Sequence, residues 1–396
     1  MDLTYDLDPS VQSFVDEHRW PELWQPQGPI ALLNHGSYGR TFKPVREAHS
    51  KLQLEIDSDP GAFYRHNHHP TIEATADLIA QWLGLPPDVG VGFTHNASTA
   101  VLDAVAWFAN PSGPILTTDV GYGGIRFGVD GLAHRIGTTW VEVELDSIAD
   151  AANFHDLVMN AVVERRPSVV VLDQISSATA MRLPISRLIA SIRSASPDTK
   201  IVIDAAHAAG MERDPYIPGA DAWITNLHKW VSASTGAAAI VAKRGSDLKP
   251  AFRSWTSDEA FPRSFTWLAT DSKAAYLTAP LATRIMDELL AAGLDAHIKT
   301  TLATAGDRLV DAWGVSPDPR PEGMAAPWMR LIEIPIRWLP QDELNGGSLI
   351  IRNELAADVI LTQFKGSTFV RLSAHGYNDE SQYERLIEIP KLLADY

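Results

Sequence analysis

The stretch KIVIDAAHAAGMERDPYIPGADAWITN, from Lys200 to Asn226, decides the fold. Its runs KIVID and DAWITN are rich in β-branched residues and apolar without alternation. That is the pattern of strands buried on both faces, as in a parallel sheet covered by helices. Outward from it, SVVVLDQIS (Ser168–Ser176) and AAAIVAK (Ala237–Lys243) read the same way. AANFHDLVMNAVVERR (Ala151–Arg166) and ISRLIASIRSA (Ile185–Ala195) carry apolar residues at three-to-four spacing, which predicts helices. Strand and helix in alternation predict an α/β fold with a large, doubly wound, mostly parallel sheet. From about Asp271 the pattern changes to a helical segment followed by WMRLIEIPI and FVRLSAHGYN, strands of a smaller α+β domain. The expected organisation is an N-terminal segment (1–30) packing with the small domain, a large domain (31–270) and a small C-terminal domain (271–396).

Composition narrows the function. Hydrophobic residues make up 45% of the 396-residue chain and charged residues 21%, as in soluble globular enzymes. A formal net charge of −16 argues against a nucleic acid or an anionic membrane as partner, since both would be repelled. The chain has no cysteine, which removes disulfides, thiolate zinc sites and a cysteine nucleophile. The amino terminus, MDLTYDLDPSVQSF, is acidic and unlike a signal peptide, and no apolar run approaches the roughly 20 residues of a membrane span. A cytoplasmic location is expected.

In an open α/β sheet the ligand crevice lies at the carboxyl ends of the strands. KIVID ends there in Asp204, with His207 three residues on; DAWITN ends in Asn226, followed by His228 and Lys229. Lys229 is the one formal charge between Asp221 and Lys243. A lysine in such surroundings is exposed, paired or deprotonated. The 25 residues from Asp204 to Lys229 fit one helix-and-loop return, so both face one crevice. In FTHNASTAVLDAVAWFA (Phe93–Ala109), Asn96-Ala97-Ser98-Thr99 opens a helix whose free amides suit a phosphate. In TTDVGYGGIRFG, Tyr122 sits between glycines, where an aromatic ring can approach a flat ligand. Each signal alone has an ordinary reading as a surface lysine, a helix cap or a turn. One ligand, pyridoxal 5′-phosphate, accounts for all four: it requires a lysine amine, a carboxylate at its ring nitrogen, a helix end for its phosphate and a flat group over its ring.

The order HNAST, DxxYG, DQISSAT, DAAH and NLHKW resembles the class V aminotransferase branch of the fold-type-I pyridoxal-phosphate enzymes. LNHGSYG (Leu33–Gly39) and VRLSAHGYND (Val370–Asp379) resemble its isopenicillin N epimerase-like group, and the similarity spans Asn34 to Asn378. The resemblance implies that Lys229 holds the cofactor, that Asp204 pairs with its ring nitrogen and that His207 helps hold the ring. It implies that Tyr122 stacks on the ring and that Ala97 and Ser98 bind the phosphate, helped by Asn226 and His228. Ser177 is implied at the cofactor's phenolic oxygen, with Ser176 close enough to compete. Arg371 is implied to grip the substrate α-carboxylate. Thr270 is implied to reach the phosphate of a partner subunit, hence a homodimer; Ala269 stands where many relatives have glycine.

The resemblance also implies an amino-acid substrate in secondary metabolism. C–S β-lysis of an S-cysteine conjugate is the expected reaction, because it needs only the lysine and a leaving group. Epimerisation is the alternative, with His35, Tyr38 and His375 as candidates for a second acid or base. Decarboxylation, oxidative deamination and transamination use the same cofactor, whereas the lack of cysteine argues against a cysteine desulfurase. A non-catalytic binding protein of this fold would be expected to lack Lys229 or Asp204, and both are present. No GxGxxG follows a first strand, which argues against a nicotinamide-dependent dehydrogenase. FYRHNHHP brings together Arg65, His66, His68 and His69 at no standard zinc spacing; a loop at the crevice mouth, not a metal site, is expected.

Overall fold

A computed structural model describes residues 7–145 and 153–394. After β1 (Ala31–Leu32) come β2 (Val89–Thr94), β3 (Ile115–Thr118), β4 (Trp140–Val143), β5 (Val169–Asp173), β6 (Lys200–Asp204), β7 (Ala222–Asn226) and β8 (Ala238–Lys243). β2 to β8 form one seven-stranded sheet in the order β2-β8-β7-β6-β5-β3-β4. Neighbours from β7 to β4 pair in parallel, and β8 runs antiparallel to both β7 and β2. This is the α/β, mostly parallel architecture expected. The helix predicted at 151–166 runs from Phe154 to Arg165; Ala151 and Ala152 lie outside the described residues.

The unbroken apolar runs are explained by two separate cores. Val169 and Val171 of β5, Val202 of β6 and Ile224 of β7 pack with Ala100, Val101 and Val105 of the Ala97–Phe108 helix. The intervening Val170, Leu172, Ile201, Ile203 and Trp223 turn to the other face, against Leu188 and Ile192 of the Ile185–Ala195 helix. Side chains of a strand alternate between faces, so a strand covered twice must be apolar at every position. Each such aliphatic side chain contributes roughly 1.5–3 kcal/mol on burial.

The C-terminal strands β9 (Met329–Glu333), β10 (Ala357–Asp358), β11 (Ile360–Phe364) and β12 (Ser367–Ser373) follow the long Leu294–Trp313 helix. β11-β12-β9 form an antiparallel sheet, and β10 pairs in parallel with β1. The N-terminal segment packs here too: the Trp24 ring lies 4.8 Å from that of His375 and 5.2 Å from that of Tyr377. Among the described residues no helix is long and apolar enough to cross a membrane.

Strand register brings the chemistry together. Asp173 of β5 is directly opposite Asp204 of β6, and Asp204 is opposite Ile224, two residues before the end of β7. β2 ends beside the start of β8 on the same sheet edge, and Asn96 caps the next helix there through Thr99 N–H.

The segment 34–39 lies directly on the lysine turn. Gly39 has φ +72°, and a Cβ there would stand 1.9 Å from the His228 carbonyl oxygen. Gly84 has a φ of +66° with nothing within 4 Å, so an alanine there meets only a backbone cost. Gly84→Ala is expected to destabilise by about 1 kcal/mol and Gly39→Ala by roughly 3 kcal/mol or more, because Gly39, at φ +72° and ψ 175°, holds a conformation open essentially to glycine and its Cβ would also meet backbone. Urea denaturation of the two variants checks this; equal losses would mean that the close approach carries no energy.

Candidate active site

A cavity of about 240 Å³ opens at this sheet edge. Its wall includes Lys229, Asp204, His207, Tyr122, Ala97, Ser98, Ser177, Asn226, His228 and Tyr38 of the residues singled out in the sequence. It also includes Asp173, Ser37 and Ile360. A larger cavity of about 540 Å³ beside Phe261 and Phe265 lacks this convergence: its charged residues pair with one another, Arg244 with Asp77 and Arg263 with Glu73 and Glu259.

Lys229 is half-buried in the cavity wall. Burial, and then the Arg371 charge, pull its amine down to about 8, against the pull of Asp204 and Asp173. Its Nζ lies 3.3 Å from His207 Nε2. The Asp204 carboxylate accepts from the Ala206 amide at 3.0 Å. Burial pushes Asp204 up, opposed by that hydrogen bond and by Lys229. Burial and the neighbouring Asp204 push Asp173 well above the carboxylate range, so the adjacent pair favours holding a proton between them. Asp173 Oδ1 accepts from the Tyr122 amide at 3.3 Å, which ties the ring-bearing turn to the sheet edge.

The helix N-terminus is partly committed already. Ala97 N–H donates to Asn226 Oδ1 and Thr99 N–H to Asn96 Oδ1, both at 2.9 Å. Ser98 stands between them at the cavity wall, its amide and hydroxyl without a partner among the described residues. His228 Nδ1 donates to the Ala237 carbonyl at 3.0 Å, and burial holds the ring down at about 4, hence neutral.

Arg371 lies behind this wall, only 1% exposed. Its Nη1 donates to Ser177 O at 2.5 Å and Ser177 Oγ at 2.9 Å, and its Nη2 to Ser37 Oγ at 2.8 Å and Asn34 Oδ1 at 3.2 Å. Every one of these acceptors is neutral, and Nε is buried with no partner among the described residues. Burial lowers the guanidinium to about 10. Ser177 thus accepts from Arg371 through its hydroxyl oxygen while standing at the cavity wall, where its own O–H can still donate to a ligand. Ser176 is committed elsewhere, donating to Val120 O at 2.6 Å.

Three further candidates stand outside the cavity wall. His35 is buried with Nδ1 3.0 Å from the Tyr377 hydroxyl and Nε2 3.0 Å from the Lys229 carbonyl. His375 accepts from Gly376 N–H at Nδ1 and donates from Nε2 to the Trp230 carbonyl at 3.0 Å. With both nitrogens of each ring engaged, these histidines hold the lysine turn from behind and present no free nitrogen to the crevice, contrary to expectation. Thr270 is exposed and lies outside the cavity of its own chain. The histidine cluster is not a loop: His66 and His68 lie on consecutive helical turns, and His68 is fully buried against Trp267 at 4.9 Å. Among the described residues no three His, Asp or Glu side chains group as a metal site.

Asp173 was legible on the same strand-end grounds as Asp204, since VVVLD ends as KIVID does. Ser37 and Asn34 carried no local signal, because their partner Arg371 is more than 330 residues away.

Comparison with known proteins agrees with this fold. Over 92% of its length the chain is 26% identical to a putative L-cysteine desulfhydrase 2 of Oryza sativa subsp. japonica, covering 85% of that protein. It is 24% identical to the isopenicillin N epimerase of Amycolatopsis lactamdurans, with 92% and 95% covered. Among solved structures it matches a variant of C-DES with glycine covalently linked to its PLP cofactor, at a TM-score of 0.69 and 17% identity, covering 96% of this chain and 99% of that one. It matches the cysteine desulfurase CsdA of Escherichia coli at a TM-score of 0.68 and 15% identity, with 98% of each chain covered. The family model Aminotransferase class-V matches residues 61–258, spanning β2 to β8 and with them Asp204 and Lys229. The chain belongs to the class V aminotransferase family of fold-type-I enzymes, whose cofactor is pyridoxal 5′-phosphate.

Proposed function

We propose that the protein is a pyridoxal-phosphate C–S β-lyase acting on an S-cysteine conjugate in secondary metabolism. The residues present fit the cofactor. Lys229 would hold it, Asp204 would face its ring nitrogen, Tyr122 would cover its ring, and the unpartnered Ser98 amide and hydroxyl would take its phosphate. When bound, it supplies an electron sink for the pair left at the substrate Cα.

The rest falls to this chain's own side chains. Arg371, a buried cation whose Nη donors are held by the neutral acceptors Ser177, Ser37 and Asn34, would bind the substrate carboxylate by exchanging some of those acceptors for it. The Lys229 amine takes the Cα proton. The Cβ–S bond then breaks, the sulfur leaves as a thiolate that takes up a proton, and hydrolysis of the remaining fragment gives pyruvate and ammonium. The observation that carries elimination over epimerisation is the engagement of both nitrogens of His35 and of His375 by hydrogen bonds behind the lysine. Epimerisation needs a second proton donor, and Tyr38 is the remaining candidate of that set at the cavity wall, which keeps this as the second reading. With no cysteine in the chain, no thiol of its own can accept sulfur as a desulfurase requires. We read the protein as a homodimer in which a second copy covers the exposed Phe252, Trp255 and Thr270.

Incubation with S-alkyl-L-cysteines in deuterated water tests the reaction. Pyruvate and free thiol in equal amounts are expected. Recovery of the substrate, α-deuterated and inverted in configuration, would replace lysis by epimerisation.

A further inference from the structure

Trp230 follows the lysine, and its indole nitrogen lies 3.2 Å from His207 Nδ1; the other ring nitrogen, Nε2, faces Lys229 Nζ at 3.3 Å. An indole N–H only donates, so Nδ1 must point a lone pair at Trp230 and carry no proton. Burial holds His207 well below the usual histidine range, and the Lys229 and Arg371 charges add to it, so the ring is neutral. Its single proton then sits on Nε2, toward the lysine. An ammonium also only donates, and two donors face to face repel. A neutral amine has a lone pair that accepts. We propose that Trp230 is a positioning residue that fixes His207 as its Nε2–H tautomer and thereby biases Lys229 toward the free amine, the form that condenses with an aldehyde.

The indole is held firmly enough for this task. Trp230 is fully buried, its ring lies 5.8 Å edge-on from that of Trp328, and its carbonyl accepts from His375. A Cβ on Gly36 would stand 3.0 Å from the indole ring, so the glycine packs closely against it. The remaining charges do not set the tautomer. Arg371 pushes the Lys229 amine down while Asp204 and Asp173 hold it up. His228 is committed to the Ala237 carbonyl and His35 to the Lys229 carbonyl.

The inference rests on Lys229 being the amine that receives the cofactor, and it is tested apart from turnover. The full chain, stripped of pyridoxal phosphate and labelled with 15N-histidine and 13C,15N-lysine, is titrated by NMR. The wild type is expected to carry the His207 proton on Nε2. In Trp230→Phe, His207 is free to move its proton to Nδ1 and accept from an ammonium, so the Lys229 titration should rise by about one pH unit. The sign follows from a depressed amine: it is neutral above its own midpoint, so raising the midpoint shrinks the neutral fraction at any fixed pH. A wild-type proton on Nδ1 overturns the proposal, as does a folded Trp230→Phe whose Lys229 titrates like the wild type. If that variant fails to fold, the wild-type tautomer decides. A chain that takes up no pyridoxal phosphate, or releases no thiol, would instead sink the functional reading and leave this result standing.

Discussion

Lys229→Ala is expected to lower kcat/KM for thiol release by roughly a thousandfold or more, since the substitution removes both the cofactor's covalent anchor and the Cα base. The fold should survive. Lys229 sits in the wall of an open cavity, so its loss leaves no sealed void. Its burial depresses the amine to about 8, so in the cofactor-free chain the charged lysine is a cost below that pH and its removal should not lower the melting temperature at pH 7. The visible absorption of the purified protein should weaken or disappear, and an added small primary amine should restore part of the turnover by supplying the missing base. Steady-state kinetics, an absorption spectrum and a thermal melt cover the three expectations. A variant within tenfold of wild type would remove Lys229 from the chemistry, and with it the proposed reaction.

Arg371→Met is expected to raise KM by about a hundredfold or more, with a smaller effect on kcat, because a buried charged contact to the substrate carboxylate is lost. Stability should move the other way or not at all. The guanidinium is buried among neutral acceptors with its Nε unpartnered, and burial has already lowered it to about 10. An apolar side chain of similar length relieves that desolvation, although Ser177, Ser37 and Asn34 lose a donor. Arg371→Lys keeps the charge without the planar fork, and should fall between the two in KM. Initial rates over a range of substrate concentration, with a melt for each variant, separate binding from folding. Unchanged KM in Arg371→Met would mean that the arginine is structural and that the carboxylate is held elsewhere.

Some of this was written in single stretches of chain. KIVID, DAWITN and SVVVLDQIS record burial on two faces, and that alone orders the central strands into a covered parallel sheet. Because such a sheet presents its strand ends along one edge, Asp204 and Lys229 could be assigned to a common crevice from their spacing, and they line one cavity. The helix opening at Asn96 was equally legible, since capping is a local event.

What the linear pattern could not hold is direction and partnership. His35 and His375 belong to segments that do approach the lysine, yet their rings turn to backbone carbonyls behind it. Ser177 turns to Arg371, and Arg371 finds Ser37 and Asn34 from the far end of the chain. Periodicity reports whether a side chain is buried. It does not report which long-range donor or acceptor meets it, because that depends on rotamers chosen when distant elements pack. The sequence by itself determined the sheet, the crevice and the pair Asp204–Lys229, since these follow from local burial and strand-end geometry. Only the tertiary structure decided that Asp173 stands against Asp204, that the two histidines expected as acid–base candidates turn to backbone carbonyls, and that an indole faces His207 from the side away from the lysine.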